Sequence, residues 1–167
     1  NYIRNGGCIT DLGNRVVTYS KRKAPAVPPT SDKWQSFTYT DYGYYSVGQA
    51  CWNPYGKKVY QGNWEHYGNN RGIFTLPNSS IDAYLSGATI LDGSTLTLKR
   101  ATSGGYSSAQ MVYLCGTTHT SIGSGVPPVT RTYGAIGFIG LGKQVTLTLP
   151  KRLVEDLKTG TIKSVMF

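Results

Sequence analysis

The chain has 167 residues, enough for one domain with a substantial core, since a chain of this size buries about 70% of its unfolded surface. It carries 21 glycines and 13 tyrosines with only 15% charged residues, a mix that excludes intrinsic disorder and suits short strands joined by tight turns. A net charge of +9 favours polyanionic partners, either a nucleic acid or a phosphate-bearing cell-wall polymer.

Three cysteines, Cys8, Cys51 and Cys115, make a poor disulfide framework and are expected as reduced thiols, mostly buried in strands. No apolar run has transmembrane length and no signal-peptide pattern is visible, so membrane insertion is not expected. The first residue is Asn rather than Met, which reads as a piece of a longer polypeptide.

Along the chain, residues 1–23 read as a small separate unit. A turn signal lies at 11–14, and Arg15-Val16-Val17-Thr18-Tyr19 has strand character. The stretch 21–30 is basic and then proline-rich, and is expected to be extended and outside any sheet interior. Residues 1–32 are therefore expected to be an arm and linker, and 33–167 the main domain.

Residues 34–40 alternate aromatic and polar, the period of a half-buried strand. Gly-rich aromatic sequence follows to Phe74. A capping-box pattern, Ser79 with Asp82, predicts a short helix stopped at Gly87, with Ile81 and Leu85 on one face. A second helix is predicted after Pro150 and ends at Gly160. Its stripe is Leu153, Val154 and Leu157, while Lys151, Arg152, Glu155, Asp156 and Lys158 face water.

Thr95-Leu96-Thr97-Leu98-Lys99 and Gln144-Val145-Thr146-Leu147-Thr148-Leu149 alternate as strands with their aliphatic residues inward. Residues 109–115 and 135–141 read as central strands, and 161–167 as the last. The expected fold class is all-β, an antiparallel jelly-roll-like β-sandwich with two short helices. No internal repeat of roughly 20–50 residues is visible.

The block Lys58-Val59-Tyr60-Gln61-Gly62-Asn63-Trp64-Glu65-His66-Tyr67-Gly68-Asn69-Asn70-Arg71-Gly72-Ile73-Phe74 resembles a pattern in C-terminal domains of siphophage minor tail and receptor-binding proteins. Order supports the resemblance further on. Ala88-Thr89-Ile90 with Leu96-Thr97-Leu98-Lys99-Arg100 looks like that family's strand pair. Ser103-Gly104-Gly105-Tyr106-Ser107 looks like its Gly/Ser turn, and Leu147-Thr148-Leu149-Pro150 through Gly160 like its ending. The likeness covers about residues 34–167. Residues 42–56 are longer and more aromatic than the pattern, and 137–142 lack a tryptophan often found before the last strand.

The resemblance implies host attachment or tail-tip structure, in the virion and outside the cell when acting, with no cofactor and no catalytic set. Implied partners are a bacterial cell-surface polysaccharide or teichoic acid and other virion tail subunits, with a homotrimer open by analogy to fibre tips.

Sugar rings present C–H faces that stack on flat aromatics, while amide and charged side chains hold their hydroxyls. The candidate glycan-binding residues are Tyr42, Tyr44, Tyr45, Trp52, Tyr55, Trp64, Asn69, Asn70 and Arg71, with Tyr60, Gln61, Asn63 and Tyr67 interleaved. Trp64 and Tyr67, inside the shared motif, serve folding on the alternative reading. Lys57, Lys58, Lys99 and Arg100 are a candidate basic patch for phosphates. Arg71 is alternatively a buried partner of Asp41, Glu65 or Asp92.

Chemistry is not expected. A glycan depolymerase needs two carboxylates about 5–10 Å apart, and Asp41 with Glu65 is the sole pair near the aromatics. No G-x-S-x-G elbow appears for a nucleophile. Cys115 and His119 lie four residues apart without a second pair at zinc spacing, so no metal is expected. Basic charge beside aromatics would suit nucleic acid, but no RNP motif, KH loop or helix-turn-helix accompanies it.

Overall fold

The computed structural model describes residues 33–54, 56–63, 68–103 and 105–167, together with the backbone of two short strands near the N-terminus. The chain divides into two compact units, Asn1–Gln35 and Ser36–Phe167. In the first, β1 (Gly7–Ile9) pairs antiparallel with β2 (Tyr19–Lys21). The turn expected at 11–14 and the proline-rich stretch 24–30 lie outside the described residues.

The second unit is a seven-stranded antiparallel sheet, a separate two-stranded sheet and two short helices. The large sheet contains β3 (Asp41–Ser46), β4 (Cys51–Trp52), β5 (Gly62–Asn63), β6 (Asn69–Thr75), β8 (Gln110–Thr117), β9 (Arg131–Ile139) and β11 (Ser164–Met166). Its order is β4-β3-β6-β11-β8-β9, with β5 also on β6. The small sheet pairs β7 (Thr95–Lys99) with β10 (Gln144–Thr148). Among the described residues of this unit the strands thus divide seven and two, and all their pairings are antiparallel.

The C-terminal strand therefore sits at the centre of the sheet. Val165 lies opposite Phe74 on one side and Gly116 on the other. Beyond it Phe167 exchanges both backbone hydrogen bonds with Gly72, at 2.8 and 3.0 Å. β5 then continues the same track, with Gly62 opposite Asn70. There Gln61 stands in for a peptide group: its Nε2 donates to Met111 O at 2.9 Å, and its Oε1 accepts from Tyr113 N at 2.9 Å. One backbone acceptor and one backbone donor of β8, beyond the reach of β11, are satisfied this way.

Each face of the sheet is covered over part of its area, by different means. On one, Leu114 and Val165 join Ile81 and Leu85 of α1 (Asn78–Leu85), Leu153 and Leu157 of α2 (Lys151–Lys158), Ile90 and Ile162 in the main core. The 118–130 connection lies over the other face at β3, β6 and β11. Its Pro127 is fully buried, and Ser164 Oγ donates to His119 O at 2.5 Å.

β7 and β10 behave as their alternation requires. Leu96 faces Leu147 and Leu98 faces Val145 across the pair, half-buried, while Thr97 and Thr146 join hydroxyls at 2.9 Å on the exposed side. α2 ends where Gly160 takes φ 72°, and Gly87 takes φ 69° after α1.

Three expectations are corrected. Residues 34–40 form no strand. Phe37 packs edge-on to Tyr84, and Thr40 N reaches Thr75 O, but no ladder develops. α1 begins at Asn78 after Pro77 with no side-chain cap hydrogen bond, so Ser79 and Asp82 make no capping box. Asp156 does not face water. It is 8% exposed and turned toward β9. Of the cysteines, Cys51 and Cys115 are free thiols and half-buried.

Candidate functional site

β3 carries three of the candidate rings, Tyr42, Tyr44 and Tyr45, and its surroundings decide their roles. Opposite residues of an antiparallel pair share a face. Tyr42 and Tyr44 therefore share one with Phe74 and Gly72, and Tyr45 shares the other with Arg71. Tyr44 is 2% exposed and meets Tyr60 edge-on at 4.8 Å. Tyr45 is 7% exposed and meets Trp52 edge-on at 5.7 Å. Neither ring has a face to offer a sugar, which removes both from a surface platform.

Trp52 and Arg71 hold down the 118–130 connection. Trp52 stacks on His119 with ring centroids 5.3 Å apart, and its Nε1 donates to Gly125 O at 2.7 Å. Arg71 Nη1 donates to Pro127 O at 2.6 Å. That carbonyl, rather than Asp41 or Asp92, is its described partner, and Glu65 lies outside the described residues. Arg71→Ala is expected to loosen this segment by about 1–2 kcal/mol, as loss of a charge-assisted bond to a part-buried acceptor. Amide hydrogen exchange should then accelerate across 118–130 and stay unchanged in α2. Uniform protection in the variant would refute the role.

Asn70 is buried and its Nδ2 reaches Gly62 O at 3.4 Å, so it too belongs to the sheet. Asn69 is exposed, with its backbone carbonyl taken by Val47 N at 2.9 Å. Tyr55 and Trp64 lie outside the described residues, as do Glu65, His66 and Tyr67.

One part of the set gathers at the surface. Tyr42 packs against Tyr39 and Phe74 at centroid distances of 5.4 and 6.2 Å, and Tyr39 is exposed. The Lys57 ammonium stands 5.1 Å from the Tyr42 ring centre and 2.6 Å from Asp41 Oδ1. Lys58 lies 6.0 Å from the centre of the Tyr60 ring. This ledge of rings, two lysines and one carboxylate is the part of the predicted platform that the described residues gather at the surface.

The hydrogen bond from Lys57, then that from Tyr42 N at 2.8 Å, holds the Asp41 carboxyl below its ordinary range. The same bond raises Lys57. Asp41 is thus kept as an anion, the wrong state for a general acid. An NMR titration should place its midpoint below that of a free aspartate, and Lys57→Met should move it back up. No movement would mean the pair is broken in solution.

Lys99 and Arg100 do not join Lys57 and Lys58 in one patch. Lys99 ends β7, in the other sheet, and Arg100 follows it. Lys99 is exposed. Arg100 organises the following loop: Nη1 donates to Ser108 O at 2.8 Å and Ile139 O at 3.2 Å, and Nη2 donates to Tyr106 O.

Two groupings escape a linear reading. On α2, Asp156 Oδ2 accepts from the Tyr133 hydroxyl at 2.8 Å, with Arg131 Nε at 3.2 Å and Arg152 Nε at 4.0 Å. On the sheet, Met111, Tyr113 and Phe138 are exposed along β8 and β9. Among the described residues, no three His, Cys, Asp or Glu side chains are placed to hold a metal ion. Among the described residues, too, no helix is long and apolar enough to cross a membrane.

Comparison with protein-family models, with curated proteins and with solved structures yields no match.

Proposed function

We propose that the chain is a non-catalytic domain of a bacteriophage tail or fibre protein. In this reading it binds a host cell-surface glycan, a wall polysaccharide or teichoic acid, when the virion attaches from outside the cell. The ledge at Tyr39, Tyr42, Lys57 and Asp41 carries the proposal. Its rings can stack on sugar C–H faces, and Asp41 can take a hydroxyl. Lys57 and Lys58 can meet phosphate, with the +9 charge speeding encounter. The frame is taken as jelly-roll-like with one sheet reduced to two strands.

The test is retention on purified cell walls of the bacterial host, before and after removal of teichoic acid. Retention of the wild type, weakened by salt and by Tyr39→Ala with Lys57→Glu, is expected. Absence of retention on either preparation refutes the reading. A second reading is a structural domain packing on other tail subunits. What favours it is that Tyr44, Tyr45 and Trp52 serve internal packing, while an uncharged sheet face stays open on β8 and β9.

A further inference from the structure

The 118–130 connection lies as a strap over the β4-β3-β6 end of the sheet, and the groups beneath it are hydrogen-bond donors. Tyr45 lies opposite Trp52 on one side and opposite Arg71 on the other. The indole and the guanidinium thus flank it on one face, about 10 Å apart at two strand spacings. The strap gives each an occupant from its own chain. The His119 ring stacks on Trp52 at 5.3 Å with the planes 20° apart, and Gly125 O accepts the indole N–H at 2.7 Å. Pro127 O accepts from Arg71 Nη1 at 2.6 Å. A flat ring over an indole, an oxygen at its N–H and an oxygen on a guanidinium are the contacts that a phosphorylated sugar makes with the same groups.

Arg71 is bonded below its capacity. It is half-buried, and among the described residues no carboxylate pairs with it. Its described acceptor is a neutral carbonyl. An anion in that place adds Coulomb attraction at a site where water screens it incompletely, and a phosphate also fits the guanidinium fork.

The strap can come away without the sheet. Of residues 118–130 Pro127 is buried, His119 and Ile122 are half-buried, and the rest are exposed, Val126 to 59% and Val129 to 49%. Ile122 rests on Gly43, where a Cβ would stand 2.8 Å from its Cγ2. The remaining hold is the ring stack and a few hydrogen bonds, including Ser164 Oγ to His119 O. The neck is closed separately: Thr130 N donates to Gly116 O at 2.9 Å, and Thr118 N to Thr130 Oγ1 at 3.2 Å. The tip can therefore lift while β8 and β9 stay paired, and the main core lies on the opposite face. Segments with so few buried apolar contacts are the ones that open locally.

We propose that the strap is autoinhibitory, and that with its own ring and carbonyls it occupies a site on Trp52 and Arg71 for a phosphodiester-linked sugar chain. When the strap lifts, a sugar ring replaces His119 on the indole and a phosphate replaces Pro127 O on Arg71. The inference rests on the glycan reading above. It adds to the open ledge a covered site that the polymer reaches by displacing the strap.

The probe is a glycosylated poly(glycerol phosphate) teichoic acid added to the full chain, read by amide hydrogen exchange. Exchange across 120–128 is expected to rise at least about fivefold on binding, while α2 keeps its rates. An ordinary ligand does the reverse and protects the loop it touches. His119→Ala with Ile122→Ser alters the strap alone and is expected to tighten binding at least about fivefold, because the closed fraction no longer lowers the affinity. Adding Arg71→Gln should cancel that gain. The exchange measurement uses the wild type, so a folding defect in the strap variant leaves the test intact. Binding with strap exchange unchanged or slowed overturns the inference and leaves the glycan reading standing on the ledge. A folded strap variant that binds no better than the wild type does the same. No binding to this polymer by wild type and strap variant alike overturns it too, and if neither is retained on any wall preparation the glycan reading falls with it.

Discussion

Asp156→Ala is expected to destabilise the 36–167 unit by about 2–4 kcal/mol. The carboxylate is 8% exposed and serves three partners: Tyr133 at 2.8 Å, Arg131 at 3.2 Å and Arg152 at 4.0 Å. Removing one member of a buried pair costs roughly 3–5 kcal/mol, because the charge left behind is uncompensated. The Arg131 side chain is 37% exposed and the Arg152 side chain 65%, so water recovers part of the loss and the lower range applies. Melting should fall by on the order of 10 °C. Arg131→Ala in the same chain should restore part of it, since the orphaned cation is then gone too. A single variant that melts with the wild type would show that the cluster contributes nothing.

The same cluster sets an alkaline limit. Burial, and then the bond to Asp156, raise the Tyr133 hydroxyl far above its ordinary value of 10.0. The folded state keeps this proton where the unfolded chain would release it. Stability from Tyr133 is therefore complete below about pH 10 and is lost progressively as pH rises beyond it. Denaturant titrations from pH 9 to 11 should show a falling arm, shallower in Tyr133→Phe, though that variant starts lower through loss of the hydrogen bond. A variant with the wild-type slope would assign the arm to other groups.

Much of the frame was legible because local pattern and final partner agree. β7 and β10 alternate Thr with Leu or Val, and that contrast names the buried face without further information. α2 is bracketed by Pro150 and Gly160, residues whose backbone limits act wherever they stand. Residues 34–40 mislead for the opposite reason. Their rings alternate because Phe37 and Tyr39 seek Tyr84 and Phe74 at different points of the surface, and a strand needs a neighbour's backbone as well. Asp156 was placed in water since an acidic residue on a short helix normally is. The tyrosine and arginine that reverse this come from β9, more than twenty residues away in sequence. The central position of β11 is likewise a non-local fact, fixed by pairing with β6 and β8.

The site was less legible than the fold. Ring density between residues 42 and 60 signals large buried area as readily as a ligand platform, and period-two alternation cannot tell whether the second face is covered. Here it is: Ile122, Pro127 and His119 lie over β3, β6 and β4, so Tyr45 and Trp52 became packing residues. The strip on β8 was hidden by a lack of contrast, because its outward Met111 and Tyr113 are as apolar as its inward Val112 and Leu114. A polar outer face would have marked the strand as half-exposed.

Gly72→Ala should be the most damaging single-carbon change near the resemblance block, at about 3 kcal/mol or more. A Cβ at this position would stand 2.5 Å from Tyr60 O and 2.5 Å from Val59 Cγ1. Neither side can retreat. Gly72 is bonded to Phe167 in both directions, so moving it opens the central ladder. Tyr60 is held by its ring against Tyr44, and the next residue, Gln61, is bonded to β8 through two atoms. Gly116→Ala offers the comparison: there the added carbon meets Ile162 Cγ2 at 2.7 Å, a side-chain atom that can shift, and about 1–2 kcal/mol is expected. Chemical denaturation of the two variants should rank them in that order. Equal losses, or a Gly72→Ala protein within about 1 kcal/mol of wild type, would contradict the close approach of the 59–61 segment to β6. The expected ranking makes the Arg71-Gly72 step of the block a requirement of folding: the arginine pins one face of β6, and the glycine admits a backbone crossing on the other.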